Sequence, residues 1–179
     1  MPTLEPLRLV LTLAILAAPV TAFAQAAHFG QPIAPADIAP WDISIGPDGV
    51  GLPPGRGTSS QGETVFLEKC QACHGEKGAG GPNDTLVGGK GSLATDKPLK
   101  TVGSYWPYAT TLFDYIRRSM PFTESKSLTA DEVYAVAAYL LHLNGIIEKD
   151  DVLDAQSLPK VAMPNRDGFI PFPRTPKSP

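Results

Sequence analysis

The chain has 179 residues and a formal net charge of −3, with 18 % of its residues charged. That length suits one domain with a real core and is short for two. No Lys/Arg-rich run occurs, which excludes an electrostatic footprint for nucleic acid. The 17 glycines and 19 prolines predict much irregular backbone, while 42 % hydrophobic content argues against wholesale disorder. Only two cysteines are present, too few and too close together to staple a scaffold.

In chain order, residues 1–24 carry Arg8, an apolar run over Leu9–Ala18, Pro19 and the small-residue site Ala22-Phe23-Ala24. This is the pattern of a secretory signal peptide, with cleavage expected before Gln25. Pro19 interrupts the run too early for a membrane anchor, which needs about 20 apolar residues. No later segment is apolar enough to span a bilayer, so the expected product is a soluble protein, most simply periplasmic. Residues 25–58 form a Pro/Gly-rich arm expected to make turns and extended backbone rather than helices. Residues 59–145 hold the strong helical signals, and residues 146–179 return to a Pro-rich tail.

Three helices are predicted. The first opens on a capping box, Ser60 with Glu63, and sets Gly62, Phe66 and Cys70 on one face. The second follows Pro107 at the first helical position, carries a stripe of Leu112, Tyr115, Ile116 and Ser119, and stops at Pro121. The third opens on Thr129 with Glu132, staples Leu128 to Val133, and runs through Val136, Ala137, Leu140 and Asn144 to Gly145. No segment alternates with period two, so the predicted domain is all-α with long loops.

The chemistry is concentrated in Cys70-Gln71-Ala72-Cys73-His74, a C-x-x-C-H run at the end of the first helix. Two thiols at this spacing can each add to a vinyl group of one haem, and the adjacent imidazole then faces the iron. A thioredoxin-type dithiol usually opens a helix, where the dipole lowers a thiol pKa, whereas this pair follows one. A structural zinc site needs four ligands, and only His28 and His142 remain as spare imidazoles. The reading is therefore one covalently attached haem c, with Cys70, Cys73 and His74 as its anchors. For a sixth ligand, a methionine sulfur favours ferrous iron and raises the potential. Met120, before the final helix and followed by Pro121, is preferred over Met163, His142 and His28.

These features resemble a class I c-type cytochrome: a glycine–aromatic first helix entering C-x-x-C-H, the loop Gly81-Pro82-Asn83, a Met-Pro turn and a last helix bearing an aromatic. The resemblance implies three main helices around one haem, with extended N- and C-terminal arms. It implies that Gly62 and Phe66 cross the last helix near Tyr139. It also implies that the Pro82 carbonyl accepts the Nδ1–H of His74 and orients the ring. Longer blocks are similar to SoxD-type cytochrome subunits of sulfane dehydrogenase and to related sulfite dehydrogenase cytochromes. These are Trp41-Asp42-Ile43, Pro47-Asp48-Gly49, Gly51-Leu52-Pro53-Pro54-Gly55, Lys100–Tyr108, Asp114–Pro121 and Met163–Phe169. SoxD-type subunits commonly carry two haem domains, and this chain has one C-x-x-C-H.

The resemblance implies an electron-transfer protein rather than an enzyme. Its expected partners are a molybdenum-cofactor dehydrogenase subunit and a downstream cytochrome or oxidase. A free-standing periplasmic shuttle, and a haem sensor or peroxidase with an open iron position, are the competing functions. Tyr105, Trp106 and Tyr108 are expected to pack the core rather than contact propionates. Arg117 and Arg118 either pair with Asp114 on a solvated face or meet acidic groups. The apolar residues of the two arms are expected to wrap the domain itself.

Overall fold

The computed structural model describes residues 30–170. The signal-peptide reading and His28 lie outside the described residues. The chain divides into two units, Met1–Trp41 and Asp42–Pro179. In the first, Pro35 opens a single helical turn, α1 (Pro35–Ile38), and the Asp37 carboxylate accepts from the Ala34 N–H at 3.3 Å. Proline at the first helical position costs no hydrogen bond, so a turn of helix forms in a segment read as non-helical.

The second unit is built on α2 (Ser59–Lys69), α3 (Gln71–His74), α4 (Ala109–Ser119) and α5 (Ala130–Leu143). One-turn 3₁₀ helices at Glu76–Gly78, Ser92–Ala94, Phe122–Glu124 and Leu158–Lys160 shape the loops. The all-α expectation needs one correction. Strands β1 (Arg56–Thr58) and β2 (Val152–Asp154) pair antiparallel, with Gly57 opposite Leu153. Three residues are too few for a period-two pattern to register in the sequence.

That pairing also moves the start of α2. Thr58, extended at the end of β1, is the N-cap: its hydroxyl accepts from Gln61 N–H at 3.4 Å, and Gln61 Oε1 accepts from Thr58 N–H at 2.9 Å. Ser60 and Glu63 match the same pattern two residues on, but the strand has already fixed where the chain turns. In α4 the N-cap is Tyr108, so Pro107 precedes the helix instead of opening it. The buried stripe of α4 keeps Leu112 and Ile116 but takes Phe113, not Tyr115, which is 46 % exposed. Neighbouring stripes share members, and periodicity alone does not choose between them.

Helix α5 begins and ends as its sequence reads. Thr129 and Glu132 close the capping box, and Leu128 and Val133 are both buried. At the other end Gly145 takes φ +62, Ile146 N–H reaches Leu141 O at 3.0 Å, and Gly145 N–H reaches His142 O at 2.8 Å. These two bonds make a Schellman stop, and the positive φ is why glycine stands there.

The core lies where α2 crosses α5. A Cβ on Gly62 would collide with the Ala135 carbonyl and come within 2.8 Å of Tyr139 Cβ. Phe66, fully buried, packs its ring 5.4 Å from that of Tyr139. Helix α4 adds Phe113, whose ring lies 4.4 Å from that of Tyr134. The tail contributes as well: Leu153, Leu158 and Met163 are buried in the same cluster, and so is Ile45 from the preceding arm. Asp114 ties that arm to α4, since its carboxylate accepts from Ile45 N–H at 3.2 Å while pairing with Arg118. Arg118 therefore takes the i, i+4 pairing considered from the sequence.

Tyr134 is buried and donates its hydroxyl to Pro53 O at 3.0 Å. Burial pushes its phenol up to about 12, with Asp154 adding to the rise and Arg117 opposing it. A phenol held neutral in the fold favours folding fully below the ordinary tyrosine pKa near 10, and that contribution is lost as pH rises toward 12. Tyr134→Phe is expected to cost about 1 kcal/mol at neutral pH through the lost hydrogen bond. Denaturant titrations of the two proteins should converge between pH 10 and 12; a gap unchanged across that window would contradict this account.

Candidate haem site

Cys70 does two jobs. It caps the end of α2, its N–H reaching Phe66 O at 2.9 Å, and its carbonyl starts α3 by accepting from Cys73 and His74 N–H at 3.1 and 3.0 Å. The C-x-x-C-H run is thus itself one helical turn, so the pair both closes a helix and coils into the next. Cys70 is half-buried against the core cluster and Cys73 is exposed. Burial pushes the Cys70 thiol up to about 11, with Lys69 opposing. At neutral pH it stays protonated, the reverse of the low-pKa thiolate that dithiol oxidoreductases use. Gln71, between the cysteines, has its Oε1 buried without a partner, the one such side-chain atom among the described residues. An orphaned acceptor marks a place where the polypeptide alone leaves a requirement unmet.

His74 Nδ1 lies 3.0 Å from the carbonyl of Asp84. A carbonyl only accepts, so in the neutral ring Nδ1 carries the proton and Nε2 keeps its lone pair for a metal. The carbonyl that meets the ring belongs to Asp84 and not to Pro82, two residues earlier, as the resemblance implied. The loop's own bonds account for the difference. Gly80 N–H reaches His74 O at 2.8 Å, Asn83 N–H reaches Cys73 O at 3.0 Å and Gly81 N–H reaches Asn83 O at 3.0 Å. Gly80 and Asn83 are thereby tied to the C-x-x-C-H backbone and the Asn83 carbonyl is taken by Gly81, and the carbonyl this closure brings to the ring is that of Asp84.

The loop beyond is fastened from two directions. Thr85 Oγ1 lies 3.0 Å from Gly78 O and 3.2 Å from Val87 O. Asn144, the C-cap of α5, accepts from Gly88 N–H at 2.9 Å and donates to Leu86 O at 3.2 Å and Leu140 O at 2.8 Å. The sequence alone singles out neither Asp84, Thr85 nor Asn144 for this role. A backbone acceptor leaves no residue-type signature, and Asn144 reads as the tail of a helix face until the loop is seen against it.

Met120 is the C-cap of α4, in extended conformation, half-buried and packed against the same cluster as Cys70. Among its rivals, Met163 is 4 % exposed within the core, and His142 has its Nδ1 3.3 Å from Ile147 O. The aromatic loop before α4 is gripped by the tail. Asn165 Nδ2 donates to Tyr105 O at 2.6 Å, the Phe169 ring meets Tyr105 at 5.2 Å, and Arg166 stacks 4.9 Å over Tyr108. Trp106 sits edge-on to Tyr115 at 5.6 Å. Two thiols, an imidazole with a free Nε2 and an adjacent orphaned acceptor form a donor set that suits haem c.

The family model described as cytochrome c oxidase, cbb3-type, subunit III matches residues 57–140. A thiosulfate dehydrogenase of Psychrobacter arcticus is 33 % identical over 85 residues, which is 48 % of this chain and 26 % of that protein. The chain thus spans about a quarter of the length of that curated relative. The crystal structure of the sulfane dehydrogenase SoxCD from Paracoccus pantotrophus matches with a TM-score of 0.76 and 42 % identity, over 83 % of this chain and 74 % of that chain. A likeness of that identity, extending over most of both chains, places this protein among the c-type cytochromes, electron-transfer proteins of the SoxD-type cytochrome-subunit kind.

Proposed function

We propose that this protein is a periplasmic mono-haem cytochrome that accepts single electrons from a molybdenum-cofactor subunit oxidising sulfite or sulfane sulfur. It would pass them to a downstream cytochrome or oxidase. The observation that carries this reading is the match to the SoxCD chain over four-fifths of the sequence, more than the helical region alone could supply. Haem c, once bound, supplies a one-electron Fe(III)/Fe(II) couple, and no substrate bond is made or broken by the polypeptide.

The chain's part is to hold and tune. Cys70 and Cys73 would anchor haem c through thioethers, His74 would ligate its iron through Nε2, and Met120 would supply a sulfur ligand. The Asp84 carbonyl holds the His74 proton on Nδ1, which raises the basicity of the ligating nitrogen. The apolar cluster behind Cys70 and Met120 keeps that side of the site dry, which limits reorganisation as charge changes.

The anchors are tested by pyridine haemochrome spectra in a host that matures c-type cytochromes. Cys70→Ser or Cys73→Ser should give a band typical of a single thioether. The double variant should lose all haem that survives denaturing electrophoresis; retention of covalent haem would refute the assignment. For the partner, the purified cytochrome is mixed with the molybdenum subunit and sulfite or a sulfane donor. Haem reduction that requires both supports the reading, and an oxidised spectrum through many turnovers of the dehydrogenase ends it.

A further inference from the structure

We propose that the Thr85 hydroxyl is a positioning group for the iron ligand, latching the loop that presents the Asp84 carbonyl to His74; this rests on the haem reading above. The loop leaves the C-x-x-C-H turn at Gly75 and returns to it through the backbone bonds from Gly80 and Asn83. Those bonds close residues 75–83. They do not reach Asp84, whose carbonyl must still be aimed at the ring.

The next two residues set that aim. Thr85 Oγ1 lies 3.0 Å from the Gly78 carbonyl, and Leu86 N–H reaches that same oxygen at 2.8 Å. Two donors from adjacent residues therefore converge on one acceptor and pin the chain immediately after the Asp84 carbonyl, the hydroxyl also lying 3.2 Å from Val87 O. Gly78 is buried and its carbonyl keeps the Leu86 N–H when the hydroxyl is removed, so the substitution takes away only the side-chain half of the latch. Asn144 grips only the far end of the segment, at Leu86 and Gly88, leaving Thr85 as the side chain bonded next to the orienting carbonyl.

Weakening the Asp84 bond makes the imidazole a poorer donor to iron and disfavours the ferric form, so the reduction potential should rise. Thr85→Val keeps the branched shape and removes the hydroxyl, and Thr85→Ser restores it. Thr95→Val is the control, since its hydroxyl bonds Ser92 O at 2.8 Å in an exposed turn of the neighbouring loop. In the holoprotein, Thr85→Val should raise the potential and speed exchange of the His74 Nδ1 proton at least tenfold in the diamagnetic ferrous state. Thr85→Ser should return both toward wild type, and Thr95→Val should move neither.

A purely structural threonine would lower the melting temperature while leaving potential and proton exchange unchanged, and that result overturns the proposal. Should the wild-type protein prove colourless, the haem reading fails by itself. The latch is then decided by the ¹⁵N shifts of His74 in the same variants: a pure Nδ1–H tautomer that mixes in Thr85→Val supports it, and an unaltered tautomer refutes it.

Discussion

Gly62→Ala is expected to destroy the fold or destabilise it by more than the ~1–3 kcal/mol typical of an overpacked core. The sign is informative because two effects oppose. In the middle of a helix, alanine is favoured over glycine by about 1 kcal/mol. Here the new methyl would be driven into the Ala135 carbonyl, with Tyr139 Cβ only 2.8 Å away. A backbone carbonyl inside α5 is held by its own helix and has no rotamer in which to retreat, so steric cost outweighs propensity. Relief would require α2 and α5 to separate, which unpacks Phe66 from Tyr139 and lifts the Cys70 end of α2 from the core. Holoprotein yield in a maturing host and denaturant midpoints measure this directly. A Gly62→Ala protein at least as stable as wild type would mean the helices do not cross here.

That crossing is what the resemblance to class I c-type cytochromes implies, and it rests on residue type. A Cβ at position 62 has no room beside Ala135 and Tyr139, so glycine there is a mark the family pattern carries. The ends of α5 are legible for the same reason: Thr129, Glu132 and Gly145 act through their own backbone neighbourhood. Contacts between segments far apart in the chain leave no such mark. β1 and β2 are three residues each and find one another across almost a hundred positions, so neither carries a pattern of its own. The same pairing displaces the N-cap of α2 from Ser60 to Thr58. The tail reads as a Pro-rich arm, yet Leu158 and Met163 are buried in the core and Asn165 bonds the Tyr105 carbonyl. At the candidate site, the side-chain donors that the sequence points to are Cys70, Cys73 and His74. The acceptor that orients His74 is a main-chain oxygen whose position depends on how residues 75–83 close, so the resemblance points to Pro82 while the bond goes to Asp84.

Met120→Ala is expected to produce the largest change in redox behaviour of any single substitution outside the C-x-x-C-H turn. Axial ligands set haem potentials across a range of about 0.8 V, and a thioether lies toward the high end because soft sulfur favours the ferrous ion. Removing it leaves water or another side chain to bind, so the potential should fall by a sizeable part of that range. The methionine-sulfur charge-transfer band of the ferric protein should vanish. Two competing sulfurs make the test decisive. Met163 sits 4 % exposed among Leu153, Leu158 and their neighbours, where a flexible thioether fills a core gap. Met163→Leu preserves volume and should cost under about 1.5 kcal/mol of stability with band and potential intact. Met120 instead stands where α4 has ended, its backbone extended at φ −122 and ψ 145, so its side chain is no longer committed to the helix surface. Loss of the band in Met163→Leu with its survival in Met120→Ala would reverse the assignment. Survival in both would put a ligand other than methionine on the iron and reopen the sensor or peroxidase reading.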